Sequence, residues 1–396
     1  MKITLTRTLP LLLSATAATI SATPYPTLIS RSSPVAFINS LSTALSSKTT
    51  KQYNLLTMSS SSSSSFSWSP QQKQTLLSCP TISLRDGTPH PAIGFGTYKV
   101  GFVPASASSA VAAVGAGNDA PQRTAEECVR DALDLGYRFF EWLVLHSIIS
   151  KAAEVGKAIQ ASGVPREELF LVSKVWTTTI EKGDGAIRAQ LEKTLSDLGT
   201  TYLDLYLIHW PVPGKHVNAY KTLEKLQSEG KIRNIGVSNY VVEDYQELLD
   251  NGISSKPSVN QIEINPFLYR KNTIDYFQQQ GVVLQSYRAL RDGKAMDHPT
   301  LVKIGTVHSK SPAQILGRWC VQHGFVYVPK SVKVERMVEN AEVFDFELSG
   351  EEMEELDSLT TPEALSAFEA LYKKCVNRDT SKDGTMEGVK MNIIVD

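Results

Sequence analysis

The chain has almost no cysteine and, over its first stretch, no acid at all. Its four cysteines, Cys79, Cys128, Cys320 and Cys375, are scattered without a C-x-x-C pair or a zinc-ligand spacing. That excludes a disulfide scaffold and leaves no metal site to expect. No apolar run reaches the ~20 residues that cross a bilayer as a helix. A formal net charge of −1 removes any general attraction to nucleic acid or anionic lipid. There is also no G-x-G-x-x-G after the first strand pattern, which counts against a Rossmann domain.

From Met1 to Arg85 no Asp or Glu occurs, and Lys2, Arg7, Arg31, Lys48 and Lys51 are among the few bases. Ser, Thr and Ala dominate, with an unbroken serine tract from Ser59 to Ser65. Such a segment buries too little apolar surface to offset its ordering entropy. We read residues 1–75 as a targeting leader and set them aside from fold reasoning. The acid-free, hydroxyl-rich composition is that of a transit peptide for a plastid or mitochondrion. Lys2 and Arg7 before the apolar Leu9 to Leu13 also give its start a secretory-signal character. A cytoplasmic product starting at Met58 is the alternative, since it would hold the whole folded domain.

Beyond the leader, folding signals are dense. TISL at 81–84, the Asp86-Gly87 turn and PAIGFGTY at 91–98 read as a short β-hairpin. Gly101 to Pro121, rich in Ala, Ser and Gly, reads as an insertion. Thr124 and Glu127 form a T-x-x-E capping box ahead of an apolar stripe, and Ser311-Pro312 with Gln314 marks a second helix start. Short apolar strand patterns follow at 137–141, 169–175, 202–210, 232–239, 258–264, 282–290 and 325–331, with Val343–Phe346 as a last candidate. Amphipathic stretches separate them, among them 187–198, 220–230 and 242–249. Buried strands alternating with helices imply a parallel sheet covered on both faces. About eight βα repeats favour the α/β class as a (β/α)8 TIM barrel with a short N-terminal hairpin, over residues 76–365, followed by a tail at 366–396.

In such a barrel the chemistry sits where strands end. These strands end on Glu141, Lys174, His209, Ser238-Asn239, Gln261 with Glu263, Tyr287 and Lys330-Ser331. Any one of them alone reads as a satisfied structural group. Seven consecutive strands ending this way describe a polar mouth for an anionic cofactor and a small polar substrate.

The ordered set GFGTY at 94–98, LDLYLIHWP at 203–211, GVSN at 236–239, NQIE at 260–263, PKS at 329–331 and FDFELS at 344–349 resembles the aldo-keto reductases. The resemblance covers Thr81 to about Leu359 and implies NADPH-dependent reduction of a small-molecule carbonyl substrate; a monomer is the default expectation. By similarity, Ser238, Asn239 and Gln261 would hold the nicotinamide carboxamide and Tyr287 would stack on its ring. Lys330, Ser331 and Arg336 would grip the 2′-phosphate, with Glu339 and Asn340 at the adenine. Family catalysis uses a tyrosine proton donor, a lysine that lowers its pKa, an aspartate that holds the lysine, and a histidine that orients the carbonyl. Lys174 and His209 match two of these roles, and Glu141 stands at the aspartate position.

The tyrosine is missing. Where members continue G-Y-R-x-x-D-T-A, this chain reads GYRFFEWLVLHSIISKAAEVG from Gly136. The pattern is lost from Trp142 to about Ala152 and returns at Glu154-Val155-Gly156. His146 has the tyrosine's offset from Glu141, in a register already broken. The abrupt loss and return reads as a retained intron fragment or misplaced splice junction; divergence to an NADPH-binding noncatalytic protein is the alternative. SYRALRDGK at 286–294 also departs from the family's Ser-Pro-Leu after this tyrosine.

Overall fold

The computed structural model describes residues 79–98, 100, 123–142 and 149–379. The expected leader, the Ala/Ser/Gly-rich insertion, His146 and the last residues of the chain lie outside the described residues. The described part of the chain opens with a hairpin of β1 (Thr81–Ser83) and β2 (Pro89–Pro91), antiparallel, with Ile82 opposite His90. Its turn is the expected one: Asp86 Oδ1 accepts from the Thr88 backbone N–H at 2.9 Å, and Gly87 takes φ 84°. The second hairpin strand stops earlier than the sequence suggests. Residues 95 and 96 leave the hairpin and form β3 (Phe95–Gly96), the first strand of the barrel.

From there strand and helix alternate. The first half holds α1 (Ala125–Leu135), β4 (Phe139–Glu141), α2 (Ile149–Ser162), β5 (Phe170–Val175), α3 (Thr177–Glu181), α4 (Asp184–Leu198), β6 (Leu203–Ile208) and α5 (His216–Ser228). The second holds β7 (Ile232–Ser238), α6 (Val242–Asp250), β8 (Val259–Glu263), α7 (Lys271–Gln279), β9 (Val283–Tyr287), α8 (Pro299–His308), α9 (Pro312–Gln322) and β10 (Val326–Tyr327). Three helices end the described chain: α10 (Val334–Ala341), α11 (Gly350–Asp357) and α12 (Pro362–Asp379). Both expected capping boxes form, Thr124 with Glu127 on α1 and Ser311 with Gln314 on α9.

β3 to β10 pair in sequence order, each parallel to the next. The two ends of the series then meet. Gly94 N–H donates to Tyr327 O and Gly96 N–H to Pro329 O, each at 2.9 Å, while Tyr327 N–H donates to Ala92 O at 2.8 Å. These bonds close the barrel. They also explain why Val343–Phe346, expected as a last strand, is not one: a closed sheet offers no edge to join. Instead Val343 O accepts from Arg318 of α9 at 3.3 Å, and Val343 is buried outside the barrel wall.

Strand periodicity divides the core in two. Inward positions build an inner cluster of Leu84, Phe139, Phe170, Val172, Leu205, Leu207, Val259, Val326 and Val328. Outward positions pack against the helices in a larger shell that includes Val129, Leu191, Tyr206, Leu223, Ile262 and Trp319. Leu84, from the hairpin, belongs to the inner cluster, and Asn234 Nδ2 donates to Asp86 Oδ2 at 3.1 Å. The hairpin therefore covers the N-terminal end of the barrel and leaves the C-terminal end as the mouth.

Helix α2 matters because it follows the segment where the sequence pattern is lost. At Gly156 a Cβ would stand 2.2 Å from Asp197 O of α4, so the two helices touch backbone to backbone there. Gly156→Val is therefore expected to force the helices apart and cost about 2 kcal/mol or more, read as a lower urea midpoint with an unchanged slope.

Candidate active site at the barrel mouth

The parallel register places the polar strand ends at one rim. Glu141 is the last residue of β4, Lys174 the penultimate residue of β5, and His209 follows β6 directly. Ser238 ends β7, Gln261 and Glu263 lie on β8, and Tyr287 ends β9. All seven lie on, or directly after, consecutive hydrogen-bonded strands.

Lys174 is the centre of this group and is only 5% exposed. Its ammonium stands 3.2 Å from Glu141 Oε1 and also donates to Gln261 Oε1. Glu141, equally buried, has its second oxygen satisfied by Gln261 Nε2 at 2.6 Å. At the position where the family pattern has aspartate, the longer glutamate side chain reaches the lysine and adds a bond to Gln261. An ammonium has three N–H groups. Lys174 has acceptors for two among the described residues, and the Tyr287 ring centroid is 6.0 Å from the ammonium.

His209 lies against the Trp176 indole, with ring centroids 4.6 Å apart and planes 26° off parallel, and meets Trp210 edge-on. Its Nδ1 is buried with no hydrogen-bond partner among the described residues. Burial first, and then the Lys174 charge, push its pKa well below the ordinary imidazole value, so it is neutral at physiological pH.

Beside the charge pair, Ser238 and Asn239 form a second polar group. Asn239 sits in the left-handed region at φ 60°, which turns its side chain back over the rim. Its Nδ2 donates to His209 O at 3.0 Å, and its Oδ1 accepts from Tyr287 OH at 2.8 Å. Ser238 Oγ donates to the Gln261 carbonyl at 2.9 Å. The structure brings together Ser238, Asn239 and Tyr287, three of the residues expected at the carboxamide. Gln261 is different: its amide is turned inward to the charge pair rather than outward.

The expected phosphate corner lies after β10. Ser331 is buried and bonds locally to Lys333, donating to its carbonyl at 2.9 Å and accepting from its N–H at 3.0 Å. Lys333 caps α10, and Lys330 and Arg336 are exposed on either side of that helix start. A helix N-terminus flanked by two cations suits a phosphate, although Glu335 adds an acid to the same turn. Of the expected adenine pair, Glu339 is half-buried, while Asn340 is buried and accepts from Tyr327 OH at 3.4 Å, facing the interior.

Other residues complete the surroundings of the mouth. Arg288, in place of the family's serine, pairs with Glu263 at 2.9 Å and with Asp292 at 3.1 Å. Arg288, Arg291 and Asp292 take φ of 52°, 49° and 56°, an unusual run for residues with side chains. Tyr372 of α12 packs against Trp210 at 5.5 Å and donates to Asp244 Oδ2 at 3.0 Å. Below the mouth, His90 of the hairpin reaches Gln285 of β9. Its one sequence signal was a histidine between two prolines.

With this geometry in hand, the comparisons agree. Residues 92–361 match the sequence model of the "Aldo/keto reductase family". The chain is 41% identical to glyoxal reductase of Bacillus subtilis over 283 residues, 72% of this chain and 94% of that protein. It superposes on aldose reductase from Schistosoma japonicum with a TM-score of 0.63 at 30% identity, covering 77% of this chain and 99% of that one. A mutant of Gox0644 in complex with NADPH gives a TM-score of 0.62 at 29% identity, covering 72% and 96%. The chain belongs to the aldo/keto reductase family. Its (β/α)8 barrel and hairpin are those of that family, and the family's carbonyl-reducing chemistry is the frame for its mouth residues.

Breaking a buried ion pair from one side leaves an uncompensated charge, at about 3–5 kcal/mol. Lys174→Met is expected to destabilise the fold by that order, and Lys174→Met with Glu141→Leu to recover most of the loss. Chemical denaturation of the two variants measures both.

Proposed function

We propose that this aldo-keto reductase is an NADPH-dependent reductase of aldehydes or ketones whose proton-donating half is incomplete in the present sequence. The buried Lys174–Glu141 pair, one strand from a neutral His209, carries this reading.

The residues fit NADPH by their chemistry. Asn239 and Ser238 offer amide and hydroxyl groups at one end of the mouth, and Tyr287 offers a half-buried ring. Lys330 and Arg336 at the start of α10 suit a dianionic phosphate, which favours NADPH over NADH. The likeness to a structure holding NADPH supports the cofactor, and the likeness to a glyoxal reductase supports a small aldehyde.

When bound, NADPH supplies a hydride to the carbonyl carbon. The chain's own residues then have to manage the oxygen. His209, kept neutral, can hold a carbonyl oxygen by a hydrogen bond without competing for its proton. Lys174 places a positive charge where negative charge develops on that oxygen, in a site with little water to screen it. Glu141 and Gln261 fix the ammonium so that no reorganisation is needed. What is lacking is the proton donor: residues 142–153 contain no tyrosine. Losing a general acid typically costs ~10²–10⁴ in rate.

The same absence supports the second reading, a protein that binds NADPH without turnover. Loss of NADPH absorbance with glyoxal as substrate separates the two. Slow turnover supports the reductase, whereas tight NADPH binding with none supports the noncatalytic protein. A segment replacing 142–153 with tyrosine in the family register is expected to raise turnover by about 10²-fold or more. Arg336→Ala is expected to weaken NADPH about tenfold or more, the value of a charge-assisted hydrogen bond, and to leave NADH unchanged. Equal losses for both cofactors would remove Arg336 from the phosphate site.

A further inference from the structure

A file of polar side chains runs through the barrel from the hairpin to the mouth. His90 is fully buried, its ring 4.8 Å from Phe139 and 4.1 Å from Phe170, the first residues of β4 and β5. Its Nδ1 stands 2.8 Å from Pro91 O, and its Nε2 2.6 Å from Gln285 Nε2. Gln285 Oε1 then accepts from Gln261 Nε2 at 2.8 Å. Gln261 completes the file by bonding both Glu141 and Lys174. Gln261 and Gln285 are directly opposed across β8 and β9. An apolar cluster that includes Phe139, Phe170, Val172, Leu205 and Val259 shares the barrel interior with this file.

The two charges dictate the orientation of every member. An ammonium can only donate and a carboxylate can only accept. Gln261 must therefore turn Oε1 to Lys174 and Nε2 to Glu141. The second hydrogen of Nε2 then requires an acceptor, which sets Gln285 with Oε1 toward Gln261 and Nε2 toward His90. His90 must accept at Nε2 and so must carry its proton on Nδ1, where Pro91 O receives it. Any flipped amide or other tautomer would set two donors or two acceptors face to face in a buried site, at a cost of order 1–3 kcal/mol per unmade bond.

We propose that His90 and Gln285 are positioning residues for the Lys174–Glu141–Gln261 group, acting from the opposite end of the barrel. This rests on the reading of the mouth as a dinucleotide-dependent reductase site and deepens it. Saturating Gln261 Nε2 leaves its Oε1 as the one part of the amide able to take a further bond. Gln261 can then meet a nicotinamide carboxamide only as an acceptor, from the carboxamide NH2. The hairpin is thereby part of the site as well as a cover for the barrel.

Burial lowers the His90 pKa to about 4. The groups facing its ring are Gln285, Phe139, Phe170 and Pro91, none of them titratable. In the unfolded chain the imidazole takes up its proton near its ordinary value of 6.5. The folded state therefore binds fewer protons between about pH 6.5 and 4, so stability falls as pH drops through that window.

The test uses the full-length protein with ¹⁵N-labelled histidine. His90 is expected as the Nδ1–H tautomer, unprotonated from pH 8 to pH 5; the Nε2–H tautomer or an imidazolium in that range overturns the proposal. NADPH affinity, followed by fluorescence, is the second readout. His90→Phe keeps the ring stack and removes the acceptor; it and Gln285→Leu are expected to weaken NADPH by about fivefold or more, one neutral hydrogen bond. His90→Gln, which restores an acceptor, is expected to stay within about twofold of the parent. In a Gln261→Leu background the His90→Phe effect should vanish. Persistence of the full effect there would mean a role in folding alone and would overturn the relay. If the parent protein binds no NADPH, the reductase reading fails, and the His90 tautomer and its loss in Gln285→Leu still decide the relay.

Discussion

A cation inside a barrel has to be answered, and most of the polar architecture of this protein is the answer to Lys174. The first response is Glu141, whose longer side chain reaches both the ammonium and the Gln261 amide. Gln261 in turn leans on Gln285, and Gln285 on His90. Each step satisfies a group that would otherwise be buried without a partner, where an unmade bond costs more than a made one returns. Val172, Leu205, Leu207, Val259 and Val326 make an apolar cluster inside the barrel, and the charge pair itself is buried, which strengthens it.

The rim divides the labour by strand. β4 to β6 present the charge pair and His209, while β7 to β9 present Ser238, Asn239 and Tyr287, and α10 presents the cations. The two groups meet through Asn239, which bonds His209 O on one side and Tyr287 on the other. A parallel barrel makes this division possible because all its strands end at one face, so residues far apart in sequence share one rim.

The interruption after Glu141 sits between two anchored elements. Trp142 N–H still donates to Val172 O at 3.2 Å, so β4 keeps its partner to the last. On the other side Gly156 presses α2 against α4. Strand pairing and helix packing on both flanks tolerate a change in the number of residues between them, since closure entropy grows only slowly with chain length. The site has no such tolerance: a proton donor must stand within hydrogen-bond reach of the reacting oxygen.

Much of this was legible in the chain itself. Apolar runs marked β4 to β10 to within a few residues, amphipathic stretches marked α4, α5 and α6, and their repeat pointed to the barrel. Thr124 with Glu127 and Ser311 with Gln314 marked their helices because capping is local chemistry. Lys174, His209, Glu141, Ser238, Asn239 and Tyr287 stood out because strand ends in a parallel barrel converge wherever the strands lie in sequence. Only the tertiary structure decided the rest. Val343–Phe346 has a strand's composition, yet closure of β10 on β3 leaves it no edge. Gln261 is turned inward because Glu141, 120 positions earlier, reaches it. His90 meets Gln285 across 195 positions of chain, with no period or motif joining the two. Local pattern reports which face of an element is apolar; which buried donor finds which acceptor depends on the packing of elements from the two ends of the chain.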